Sequence, residues 1–245
     1  MPELRPIQQQ ARDKIRQAFR EGHRRILAIA PTGFGKTVLL ADIISSHLVK
    51  AGPDARALVV VHRRELIGQT HSKLLAAGAD RARLDVRTVQ SLLAHEDADE
   101  RTTMLILDEA HHYVADEWKK IVAALPDAIV IGFTATPMRD DGTPLGDIFT
   151  SLVVCAQTKE MIGLGFLSKV VVYAAMRKTK DDSETALEAY QARASGRPTV
   201  VFCQSVAAAY QTAQDFCAAG IPAACIEGKT AAPLRDSLLA QFASG

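Results

Sequence analysis

The stretch RILAIAPTGFGKT, residues 25–37, decides how the chain folds. An apolar run (25–30) enters a short loop carrying Gly33 and Gly35, and a helical pattern starts at about Lys36. Strand, glycine-bearing turn and helix in that order hold phosphates, because backbone N–H groups of the turn and of the helix N-terminus converge on an anion. Gly33 and Gly35 permit backbone angles and a close approach that a side chain would block. Lys36 reaches β- and γ-phosphates, and the Thr37 hydroxyl suits magnesium. Thr32, Gly33, Phe34, Gly35, Lys36 and Thr37 are therefore candidate nucleotide contacts. The full G-x-x-x-x-G-K-[ST] pattern asks for glycine at position 30, where this chain has Ala30. A chance GKT at a turn is the alternative.

The same alternation continues along the chain. Residues 25–30, 56–61, 103–108, 128–133, 169–174, 198–203 and 222–227 read as strands, and 37–50, 64–77, 116–124, 205–219 and 233–243 as helices. The strands are continuously apolar, as strands buried on both faces of a parallel sheet must be. This βαβα order predicts an α/β fold with right-handed crossovers. The polar stretch 177–198 is a linker or an interdomain helix, and the glycine-rich GLGFLS (163–168) suggests a boundary near residue 165.

With 245 residues, 48% of them hydrophobic, the chain suits one large domain or two medium ones. Its formal net charge is +1, so a nucleic-acid surface would be local rather than global. The four cysteines form no C-x-x-C pair and read as thiols in a reducing compartment. The N-terminus lacks an apolar signal core and no apolar run reaches the roughly 18 residues of a membrane helix, so a soluble cytoplasmic protein is expected.

MLILDEAHH (104–112) ends the most apolar strand with Asp108 and Glu109. Ligands of an open parallel sheet bind beyond the carboxyl ends of its strands, so Lys36 and this acidic pair are expected on one edge. Asp108 would hold magnesium through its water shell, and Glu109 would orient an attacking water and accept its proton. A helix N-cap with an acidic first turn is the alternative. His111 is a further catalytic candidate beside Lys36, Asp108 and Glu109; His111 and His112 together lack a third metal ligand.

APTGFGKT (30–37), DEAHH (108–112) and GFTATP (132–137), in that order, resemble a superfamily 2 helicase of the DEAD/DEAH-box class, in the bacterial and phage branch related to type III restriction subunits. The family's phosphate loop begins with alanine, which accounts for Ala30. The resemblance runs from LRPIQQQA (4–11) to LLAQFASG (238–245). It implies a RecA-like ATP-binding domain over 1–165 and an incomplete second RecA-like domain over 166–245. Gln8, with Arg5 nearby, would read the adenine edge, since an amide both donates and accepts. Arg63, Arg64 and Gln69, with Thr88, Gln90 and Ser91, would grip the nucleic-acid backbone. Thr134 and Thr136 would couple the acidic pair to that grip. Gln204, Ser205, Lys229 and Thr230 would touch the backbone from the second domain. Polar helix starts, exposed charged faces, N-caps and turns would leave several of the same letters.

The resemblance implies ATP and Mg²⁺ as cofactors and DNA, or RNA, as partner. The expected activity is that of an ATP-dependent helicase or translocase, DNA favoured. The family continues with two further motifs, one carrying an arginine that reaches across to the nucleotide and is worth roughly 10³–10⁵ in rate. Neither occurs in residues 1–245, so nucleotide binding with weak hydrolysis is expected of a fragment or a naturally truncated member. A catalytically silent binding module and a phosphate-loop kinase or small-molecule ATPase are the competing readings.

Overall fold

The computed structural model describes residues 3–95, 98–112, 115–138, 142, 145–174 and 184–244. The chain divides into two units, Met1–Lys169 and Val170–Gly245. In the first unit, β1 (Arg25–Ile29), β2 (Arg56–Val61), β3 (Leu84–Thr88), β4 (Thr102–Leu107), β5 (Ile129–Thr134) and β6 (Ser151–Val154) form one sheet in the order β3-β2-β4-β5-β1-β6. Every neighbouring pair is parallel. All six carboxyl ends therefore open onto one rim, and the loops leaving that rim are the ones that carry the sequence motifs.

Helices α2 (Lys36–Ala51), α3 (Glu65–Ala76), α4 (Val89–His95) and α5 (Ala115–Ala124) lie between successive strands, α1 (Pro6–Arg20) precedes β1 and α6 (Thr158–Gly163) follows β6. Successive strand side chains face opposite ways, so two apolar layers cover the sheet. Ile26, Ala28, Val59, Val61, Ile106 and Phe133 lie in one layer with Ile15 of α1 and Leu39 and Ile44 of α2. Leu27, Leu58, Val60, Leu105, Leu107 and Val130 lie in the other with Leu92 of α4 and Ile121 of α5. Helix α1 docks through Ile7, Ala11, Ile15 and Ala18, a stripe at helical spacing. Pro6 opens it at the position where a missing N–H costs nothing.

Two strands differ from the sequence reading. β3 alternates buried and half-buried residues, and β6 is a four-residue edge strand. Neither has the continuous apolar run that marks the four central strands.

The second unit contains α7 (Ala186–Arg193), α8 (Val206–Ala218) and α9 (Ala232–Ser244) and no strand among its described residues. The runs expected as strands, 169–174, 198–203 and 222–227, carry no regular structure where they are described. Val172 and Phe202 are 87% and 95% exposed. Apolar composition suits a strand, but a strand exists only where a neighbour accepts its N–H and C=O groups. Of the polar stretch 177–198, residues 177–183 lie outside the described residues, and residues 186–193 form α7.

Candidate nucleotide and nucleic-acid site

The loop after β1 is shaped by its own sequence. Gly33 and Gly35 both take positive φ, +83° and +85°, which L side chains rarely adopt. Gly35 is the N-cap of α2, so Lys36 and Thr37 are the first two helical residues. The first turn of a helix leaves N–H groups without helical partners and carries the positive end of the helix dipole. Phe34 turns the other way. Its side chain is fully buried in the apolar layer beneath the loop, worth about 1.5–3 kcal/mol by burial. Phe34 therefore anchors the loop rather than offering its side chain to a nucleotide.

Lys36 and the acidic pair share the rim. Asp108 follows β4 directly, and its N–H donates to the Val60 carbonyl at 3.0 Å, which ties the tips of β4 and β2 together. Lys36 Nζ donates to Glu109 Oε1. Glu109 is the one non-glycine residue with positive φ among the described residues, at 50°. Such geometry costs of order 1–3 kcal/mol and persists where the surroundings impose it, often at functional sites. Burial pushes the Asp108 carboxyl above the ordinary carboxylate value; Lys36 pulls it down and Glu109 adds to the rise.

The loop after β5 completes the rim. Thr134 is fully buried, and its hydroxyl donates to the Thr136 carbonyl at 2.6 Å. The same oxygen accepts the Thr136 N–H at 3.1 Å and lies 2.8 Å from His111 Nδ1. A hydroxyl has one hydrogen, so His111 Nδ1 is the donor in that contact. His111 Nδ1 is also 3.6 Å from Glu109 Oε2. Thr134, Thr136, His111, Glu109 and Lys36 thus form one connected polar chain.

Gln8 departs from its expected role. Its Nε2 donates to the carbonyls of Phe34 and Gly35 at 3.0 and 3.2 Å, and its Oε1 accepts the Arg5 N–H at 2.9 Å. It is 2% exposed. Both amide hydrogens are occupied by the loop, so Gln8 braces the loop and has no donor left for an adenine edge. Arg5 stacks its guanidinium over the Phe166 ring at 4.5 Å. Leu167 lies against Gly33, where an added Cβ would stand 2.6 Å from Leu167 Cδ2. Phe166 and Leu167 were legible only as part of a boundary glycine stretch, and nothing in their letters points to the loop.

The nucleic-acid candidates divide. Arg63, Arg64 and Gln69 are exposed at the rim end of β2 and along α3, with Gln90 exposed and Ser91 half-buried on α4. Thr88 is 2% exposed and its hydroxyl accepts the Ser91 N–H at 3.3 Å, so it caps α4 rather than meeting a phosphate. In the second unit, the Ser205 hydroxyl caps α8 through Ala208 N–H at 3.1 Å. The Thr230 hydroxyl accepts the Glu227 N–H at 2.9 Å. Gln204 and Lys229 are exposed.

A parallel sheet with a lysine-bearing phosphate loop opposed to a twin carboxylate defines the class of phosphate-loop nucleotide-binding domains. Over residues 1–139 the chain matches the family described as type III restriction enzyme, res subunit, and it belongs to that family. It is 27% identical over 237 residues to a 51.5 kDa protein of a Lactococcus phage, an alignment covering 88% of this chain and 52% of the phage protein. It is 27% identical over 159 residues to the DNA 3'-5' translocase XPB2 of Sulfurisphaera tokodaii, covering 60% of this chain and 35% of that protein. The UvsW helicase of bacteriophage T4 shares the fold, with a TM-score of 0.50 at 18% identity over 62% of this chain and 60% of that one. The chain spans about half the length of the phage relative. No described helix is long and apolar enough to cross a membrane.

Proposed function

We propose that this chain carries the nucleotide site of an ATP-dependent helicase or translocase that moves along a nucleic-acid backbone, with DNA as the favoured track. One observation carries the reading: Lys36 and Glu109 come from loops 73 residues apart and meet on one rim. The donor set fits the implied ligands. A lysine ammonium at a helix N-terminus suits a polyphosphate, and the Asp108 carboxylate with the Thr37 hydroxyl offers the hard oxygens magnesium prefers. Bound Mg²⁺·ATP would supply the leaving group and the driving free energy. Lys36 holds negative charge at the loop, Gln8 keeps the loop in shape, and Glu109 is the base that takes the proton of water.

Arg63, Arg64, Gln69 and Gln90 supply exposed donors for phosphate oxygens, a grip that carries little sequence information and weakens with salt. The XPB2 relative is named a DNA translocase, which favours DNA over RNA.

The test is nucleotide affinity and ATP turnover with and without duplex DNA, single-stranded DNA and RNA. Lys36→Ala is expected to lower nucleotide affinity about 10- to 100-fold, the worth of a charged hydrogen bond of about 1.5–3 kcal/mol. Glu109→Gln is expected to keep nucleotide binding and lower turnover by about 10²–10⁴. Parental turnover in Lys36→Ala would overturn the loop assignment. Turnover indifferent to nucleic acid would favour a small-molecule ATPase, and binding without any turnover a silent module.

A further inference from the structure

Three imidazole rings stand in a row on the rim. The His62 ring centroid lies 4.7 Å from that of His112, and His112 lies 4.0 Å from His111, with the planes tilted by 45° and 44°. His62 is the first residue after β2, and the exposed Arg63 and Arg64 follow it directly. His111 ends the row at Thr134 Oγ1, 2.8 Å away, and faces Glu109 Oε2 at 3.6 Å. The row thus bridges the segment proposed to grip nucleic acid and the carboxylate proposed to act on water.

His62 packs its ring against that of His112. Its Nδ1 is buried with no hydrogen-bond partner among the described residues. A ring packed against a neighbouring ring shifts when that neighbour is displaced. The Asp108 N–H to Val60 carbonyl bond fixes the backbone tips on either side. Relative movement is therefore left to the loops beyond them.

We propose that His62 is a positioning residue that transmits nucleic-acid binding at Arg63–Arg64 to Glu109 through the His112 and His111 rings. The inference rests on the helicase reading given above. Grip on Arg63 and Arg64 pulls the start of α3, His62 shifts with it by chain continuity, and His112 and His111 re-seat against Thr134 and Glu109. Energetically this is a coupling between two sites, and it must be reciprocal.

The test measures that coupling by fluorescence anisotropy of labelled duplex DNA, with and without a non-hydrolysable ATP analogue and Mg²⁺. In the parent chain the analogue is expected to change the DNA Kd by a factor in the usual range of about 5–150. His62→Ala is expected to bring that factor to within about two-fold of one, with the separate Kd values for DNA and for the analogue each within about two-fold of the parent. His62→Phe, which keeps a ring, is expected to restore most of it. His112→Ala should lose the factor equally, and the double variant should lose no more, because residues acting in series are not additive.

A parental factor in His62→Ala overturns the proposal. So does His62→Ala losing either ligand by itself with His62→Phe failing likewise, since His62 would then be structural. A parent that binds both ligands without mutual effect overturns the proposal and leaves the helicase reading standing. A parent that binds neither overturns both.

Discussion

Gln8 is where residue chemistry and family expectation part. An amide has two hydrogens to donate, and both go to carbonyls of the phosphate loop. Removing them leaves two loop carbonyls without that partner, so Gln8→Ala is expected to cost about 1–3 kcal/mol in a urea titration. It should weaken ATP and GTP binding alike. A loss confined to ATP would return Gln8 to the adenine edge. The polar helix start LRPIQ pointed to a functional glutamine, but its letters say nothing of which acceptor it meets, because that depends on the loop folding back over α1. Thr88 and Phe34 show the same limit: their motif positions were legible, their burial was not. Cys155 behaves as its burial dictates. Burial pushes its thiol up to about 12, while Cys217 is exposed. Alkylation of the native chain at mild alkaline pH, mapped by mass spectrometry, should modify Cys217 and spare Cys155, since the thiolate is the reactive form.

At the scale of elements, β5 is tightly constrained at Gly132. A Cβ on Gly132 would stand 2.3 Å from Phe149 Cζ, inside the apolar layer that Phe149 shares with Leu105 and Leu107. Gly132→Ala is therefore expected to destabilise the first unit by about 1–3 kcal/mol through overpacking, read as a lower urea midpoint. Gly132→Ala with Phe149→Leu should recover part of the loss; no recovery would place the strain elsewhere. The four central strands were legible because both faces are covered and their middles are continuously apolar, as in ALVVV of β2 and MLIL of β4. β3 was hidden because an edge strand needs only one apolar face, so Asp85 and Arg87 interrupt Leu84, Val86 and Thr88. β6 was hidden by its length. The rim itself was legible from parallel topology alone, since strands running the same way must end on the same side. The ring row was not, because stacking across three loops leaves no periodic mark.

Across the whole molecule, order is unevenly distributed. The first unit has a six-stranded sheet with an apolar layer on each face. Among its described residues the second has three helices and no ladder to protect the backbone of residues 198–203 and 221–227. Hydrogen exchange should therefore be slow over β1, β2, β4 and β5 and fast over those two segments, because protection follows buried, bonded backbone. Slow exchange at Val200–Phe202 would mean that a partner strand covers them. The paired Lys36 and Glu109 carry one last implication. A lysine already matched by a carboxylate attracts a monoanion less than a free one does. Only a ligand bringing several negative oxygens at once can displace Glu109 and still leave Lys36 better neutralised than before. On the proposed reading, a triphosphate that takes the place of Glu109 on Lys36 would release the carboxylate in the same exchange, which would tie arrival of the ligand and availability of the base to one event.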